Sequence, residues 1–172
     1  MTGSTKLLTA GGGGVTIQPS TSIASDVTVN VPSQNCTLGI QGPAFSATPS
    51  GTQSVSNSTW TKVLLGTEGF DTNNNFASST FTPTVAGYYQ LNGYTQINAT
   101  GVFVSHAVIY KNGTAIASAS TYAGNDYPKA STSVLTYANG TTDYFDLYTR
   151  QDSGLSQNLT TSSFSGALVR AA

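Results

Sequence analysis

Charge is scarce in this sequence. Only 8% of its 172 residues are Asp, Glu, Lys or Arg, and six basic against seven acidic side chains leave a formal net charge of −1. Without a basic field there is nothing to hold a phosphate backbone or an anionic bilayer surface, so neither nucleic acid nor membrane is expected as a partner. Cysteine is almost missing as well: Cys36 stands alone, which excludes an intrachain disulfide and leaves the redox compartment unread. One cysteine and one histidine, His106, cannot build a zinc cluster, and there is no phosphate-cradling loop or nucleophile elbow. Asp143 and Asp146 are three apart, on opposite faces of an extended segment, so they form no acid–base pair and read as solvated charges. Asp71, Asp126 and Asp152 follow no calcium-loop spacing. No enzymatic activity, metal or cofactor is expected.

Long apolar runs are missing too. Leu7-Leu8 is too short for a secretory core and no later stretch approaches a membrane span, so synthesis in the cytoplasm without a signal peptide is expected. Nor does any segment carry a 3.6-residue apolar period. What fills the chain is Ser, Thr, Asn and Gly around 38% hydrophobic residues, the balance of a polar-surfaced β protein. The six Asn-x-Ser/Thr triplets, at Asn35, Asn57, Asn98, Asn112, Asn139 and Asn158, follow from that composition rather than from glycosylation.

Strands recur at regular intervals. Trp60–Leu65 is strand-like, and Asp71–Asn75 is a polar turn cluster ahead of Phe76. Pro83 and Gly87 mark a rigid corner, read here as requiring the backbone freedom of glycine. After it Tyr89, Leu91, Gly93, Thr95 and Ile97 share one strand face, with Tyr88, Gln90, Asn92, Tyr94 and Gln96 on the other. Asn112-Gly113 predicts a hairpin turn into Thr114–Tyr122, and Asn139-Gly140 a turn between Ser131–Tyr137 and Tyr144–Arg150. Leu155–Thr160 and Phe164–Arg170 read as two final strands. The expected fold is an all-β jelly-roll sandwich of about ten antiparallel strands, preceded by a short β-rich N-terminal arm.

Residues 1–40 differ in texture from residues 41–172. Gly11–Gly14 separates Lys6–Thr9 from Val15–Ile17, and Val27–Val31 is a further alternating piece. Such short strands have no core of their own, so the segment reads as a stem or an anchoring arm.

Three short signatures carry a resemblance. Pro43-Ala44-Phe45-Ser46-Ala47, then Phe76 with Phe81-x-Pro83 and Gly87-x-Tyr89, then Ser162-Ser163-Phe164-Ser165-Gly166-Ala167-Leu168 follow one another in order. Together they resemble the opening, centre and close of the C1q-type globular head, a relative of the tumour-necrosis-factor domain, over Pro43 to about Arg170. The resemblance implies a homotrimer. Lacking a collagen stalk, the chain is similar to the C1q-like domains of bacteriophage virion proteins. The implied role is therefore a structural knob on the virion surface, decorating the capsid or ending a short fibre, and joined to other virion proteins through residues 1–40. The resemblance places Tyr89 and Leu91 at the threefold contact, and His106, flanked on its face by Val104 and Val108, reads as a core or interface histidine. An alternative role is a fibre tip that recognises a host surface glycan or protein, for which the loop residues Tyr122, Asn125, Asp126 and Tyr127 are the candidates.

Overall fold

The computed structural model describes residues 42–99, 101–124 and 127–172, together with the backbone of 5–8 and 14–17. The chain divides into two compact units, Met1–Leu38 and Gly39–Ala172. Within the first, β1 (Thr5–Leu8) and β2 (Gly14–Ile17) form an antiparallel pair, Thr5 opposite Ile17 and Leu8 opposite Gly14. Cys36 and the Val27–Val31 segment lie outside the described residues.

The second unit is all β; no described residue is helical. Its strands are β3 (Ala44–Thr48), β4 (Gln53–Val55), β5 (Thr61–Lys62), β6 (Thr67–Asp71), β7 (Phe76–Ala77), β8 (Thr80–Phe81), β9 (Gly87–Asn98), β10 (Phe103–Lys111), β11 (Thr114–Ala123), β12 (Lys129–Ala138), β13 (Phe145–Gln151) and β14 (Gln157–Ala171). They form two sheets. One runs β11-β10-β13-β8-β7 with β5 also on β13, and the other β12-β9-β14-β3-β6 with β4 also on β14.

Alternation along β9 shows why the sheets face each other. Tyr89, Leu91, Gly93, Thr95 and Ile97 are buried while the residues between them are exposed or half-buried, the period of two that a strand with one wet face requires. On β10 the core set is Phe103, Ser105, Ala107 and Ile109.

The three signature segments meet inside. Phe45 stacks on Phe81 with ring centroids 4.3 Å apart and on Phe76 at 4.9 Å, and Phe164 meets it edge-on at 5.0 Å. Tyr89 closes the cluster against Phe81 at 5.7 Å. Gly166 leaves room for it: a Cβ there would come within 3.0 Å of the Phe45 ring and strike the Leu91 side chain. The polar turn holds this hairpin in place. Asp71 Oδ2 accepts the Phe76 amide at 2.7 Å, and Asn75 Oδ1 accepts the Thr84 amide at 3.0 Å.

Three of the expected elements change and one holds. The Trp60–Leu65 stretch forms ladder pairs only at Thr61 and Lys62, because Val63 and Leu65 turn into the core. The two expected final strands are one, β14, whose register shifts between Leu159 and Thr161; a bulge there lets the strand bend without leaving β9. Asn112-Gly113 does make the tight hairpin, both residues having positive φ of 51° and 78°. Asn139-Gly140, by contrast, opens a crossover between sheets, since β12 pairs with β9 and β13 with β10. Asn139 builds that crossover by accepting the amides of Thr141, Thr142 and Asp143 at 2.9–3.0 Å.

Gly87 also differs in its reason. Its φ is not in the left-handed region; what the site demands is the missing side chain, because a Cβ would run into the Arg170 carbonyl and come within 2.7 Å of Leu168 Cδ1.

Candidate functional site

Each sheet turns one face to the core and one outward. On the β12-β9-β14 sheet, cross-strand register sets Tyr88 opposite Tyr137, and their rings meet at 5.6 Å. Leu135 lies one outward step along β12, opposite Gln90. Tyr88, Leu135, Tyr137 and Val169 are all more than 40% exposed. Tyr88, Leu135 and Val169, with residues 170–172, line a shallow pocket of about 510 Å³. Further along the same face the outward residues are Asn92, Tyr94, Ser131, Ser133 and Ser163, around a second depression of about 240 Å³. The face is apolar at one end, small and polar in the middle, and carries few charges.

Tyr89 and Leu91 are not on this face. Both are 0% exposed within the single chain, so their side chains offer nothing to a neighbouring subunit, and the sequence reading of them as interface residues is corrected to the core. The Tyr89 hydroxyl donates to the Val85 carbonyl at 2.7 Å, and burial pushes its pKa up to about 12. The pattern itself held the signal for the correct face: the odd positions of β9 carry Leu91 and Ile97, and the even ones Gln90, Asn92 and Gln96, so the odd face turns inward.

His106 lies on the other sheet and points outward. It is half-buried against Trp60, edge-on at 5.6 Å, and stands directly across from Arg150 in the ladder. The Arg150 guanidinium lies 5.8 Å from the centre of the Trp60 ring. Burial lowers the His106 pKa, the Arg150 charge lowers it further, and Asp152 opposes both. Tyr122, on the same outward face two residues beyond the Ser120 that pairs with His106, is 67% exposed. Beside this row Tyr110 and Tyr148 pack ring to ring at 4.5 Å. Tyr122 is thus a strand residue rather than a loop residue. Tyr127 is exposed, and Asn125 and Asp126 lie outside the described residues.

Asp143 and Asp146, read from sequence as solvated, are buried. Asp146 pairs with Lys62 at 2.8 Å and accepts from Thr80, while Asp143 pairs with Lys111 at 2.9 Å. A chain with few charges spends four of them on two internal ion pairs. Among the described residues no group of His, Cys, Asp and Glu is arranged to hold a metal, and no helix is long and apolar enough to cross a membrane.

Two antiparallel sheets in this order, with an aromatic core drawn from the first, middle and last strands, define a jelly-roll sandwich of the C1q/TNF type. Solved structures with this fold include the globular domain of zebrafish complement 1qA protein, at 15% identity and a TM-score of 0.56, which aligns over 77% of this chain and 100% of its own. Murine APRIL at pH 8.0 gives 12% identity and a TM-score of 0.57, over 74% of this chain and 100% of its own. The vertex protein P5 of phage PRD1 gives 17% identity and a TM-score of 0.55, over 77% of this chain and 100% of its own. No protein-family model matches the sequence, and no curated protein sequence matches it.

Proposed function

We propose that this chain is a non-enzymatic structural protein of a phage virion: a homotrimeric knob that decorates the capsid or ends a short fibre, attached to other virion proteins through residues 1–40. The observation that carries the reading is the match of fold over the whole of the solved chain of a phage vertex protein.

The trimer is supported by the outer face of the β12-β9-β14 sheet. Tyr88, Leu135, Tyr137 and Val169 form an exposed apolar cluster of the kind that monomers seldom leave in water, and a permanent interface is where large apolar side chains and little charge belong. This face takes over the role that the sequence reading gave to Tyr89 and Leu91. Light scattering or native mass spectrometry of the full chain at micromolar concentration tests the assembly, with about three times the 17.7 kDa chain mass expected. Labelling of intact particles tests the location. Deleting residues 1–40 should leave a trimeric head that no longer joins the particle, and attachment of the truncated protein would move the docking surface onto the head.

A second reading, recognition of a host surface glycan, is favoured by the exposed Tyr122 and Trp60 rings and the half-buried His106 between the core and solvent on the opposite sheet.

A further inference from the structure

We infer that the outer face of the β10-β13-β5 sheet is a binding platform for an anionic sugar, with Trp60 as the stacking surface and Arg150 as the carboxylate receptor. The inference gives the glycan reading above a position and a ligand class, and it rests on that reading for its biological setting only.

Trp60 is the only tryptophan in the chain, and it is 42% exposed on a folded sheet whose core is already full of aromatic rings. An indole left in water costs apolar exposure, and its flat face complements the apolar C–H face of a pyranose ring. Arg150 is the second half of the argument. Among the described residues the ion pairs are Lys62–Asp146 and Lys111–Asp143, which leaves the guanidinium without a carboxylate. Its Nε is buried without a hydrogen-bond partner, and its visible engagement is with the Trp60 ring. A planar cation held against an aromatic face, with its charge unspent, is arranged to receive a planar carboxylate.

His106, across the ladder from Arg150, supplies a ring nitrogen on the same row. Asp152 is a nearby anion; its Oδ1 accepts the Val104 amide at 2.6 Å, and its other oxygen is placed to take a sugar hydroxyl. A cation beside a stacking ring, with a hydroxyl acceptor to one side, complements the carboxylate, apolar face and hydroxyls of a hexuronic acid. A single such site is weak, and three copies on one knob would bind a polymeric glycan by avidity.

Trp60 emission provides the readout. The full-length protein is titrated with a glucuronate oligosaccharide, the matching neutral glucose oligosaccharide, and acetate. The acidic oligosaccharide is expected to shift the emission with at least about fivefold tighter apparent affinity than the neutral one, and acetate to leave it unchanged. By calorimetry, Arg150→Gln should lose that preference and Trp60→Ala should lose binding of both oligosaccharides, with Phe70→Ala, an exposed ring on β6 of the other sheet, as an unaffected control. Neither side chain belongs to the buried core, so thermal midpoints near the wild-type value are expected; if either variant unfolds, the ligand comparison on the wild-type protein still decides. No response to either oligosaccharide, an equal response to acetate, or an unchanged preference in Arg150→Gln overturns the inference. Each of those results leaves the virion-knob reading standing, because that reading is tested by mass and location.

Discussion

Lys111 and Asp143 meet at 2.9 Å across two turns that are distant in sequence, the β10-β11 hairpin and the β12-β13 crossover. Asp143 also accepts Asn112 Nδ2 at 2.7 Å and the Asn139 amide at 2.9 Å, while Lys111 Nζ donates to the Tyr137 carbonyl at 2.7 Å. One carboxylate thereby fastens the two sheets together at one end of the sandwich.

Asp143→Asn should therefore destabilise the head by about 2–4 kcal/mol, because it leaves the largely covered Lys111 charge unpaired. The loss is read from urea midpoints. The pH dependence has a defined sign. Burial raises the Asp143 pKa, but hydrogen bonds from Asn112, Lys111 and Asn139 and the charge of Lys111 outweigh it, so the folded value lies below the ordinary one. A group depressed in the folded state contributes stability that is complete above its unfolded pKa near 4 and is lost as pH falls through the folded value. Wild-type protein should lose midpoint below about pH 4, and Asp143→Asn should lose less over the same interval.

Tyr89 governs the alkaline limb. Its phenol is neutral in the core with a pKa of about 12 against an ordinary value of 10.0, so the unfolded chain releases that proton first. Stability should fall by about 2 kcal/mol between pH 10 and 12 from this group. Tyr89→Phe should cost about 1 kcal/mol at neutral pH, through the hydrogen bond to Val85, and reduce the alkaline loss. An alkaline limb identical in the two proteins would assign the loss to other tyrosines.

Gly87→Val should destabilise by at least about 2–3 kcal/mol, through overlap with the β14 backbone rather than through φ. Gly87→Ala separates the two causes: alanine tolerates this backbone, yet its Cβ meets the same Arg170 carbonyl, so a clear loss of melting temperature is expected. An alanine variant with an unchanged melt would reject the steric account.

Leu135→Asp tests the assembly face. Leu135 is 58% exposed in the single chain, so the substitution should leave the fold intact while placing a charge in the centre of the proposed interface. Native mass spectrometry should then give a folded species of 17.7 kDa. A variant that keeps the wild-type mass would remove this face from the interface.

Much of the fold was legible in the residues. Period-two alternation along 89–97 and 103–110 marked strands, and Asn112-Gly113 marked its hairpin, because side-chain direction and turn sterics act within a few residues. The spaced signatures around Phe45, Phe81 and Phe164 were legible for a related reason: a core needs large rings at set intervals, and Phe81 and Phe164 both pack on Phe45. Tertiary structure decided what depends on partners far along the chain. Alternation separates Tyr88 from Tyr89 and the amide side chains beside Tyr88 mark its face as the outward one, but that Tyr137 joins Tyr88 on that face is decided by the pairing of β9 with β12. Asn139-Gly140 reads as a hairpin until the pairing of β12 with β9 shows a crossover. Asp143 and Asp146 look solvated until Lys111 and Lys62 arrive from other strands to cover them, and Trp60, His106 and Arg150 share nothing in sequence until β10 and β13 pair His106 with Arg150 and the residue ahead of β5 lays its indole against both. Local sterics and period are properties of the chain segment, whereas burial, charge pairing and the composition of a surface are properties of whatever the opposite strand brings.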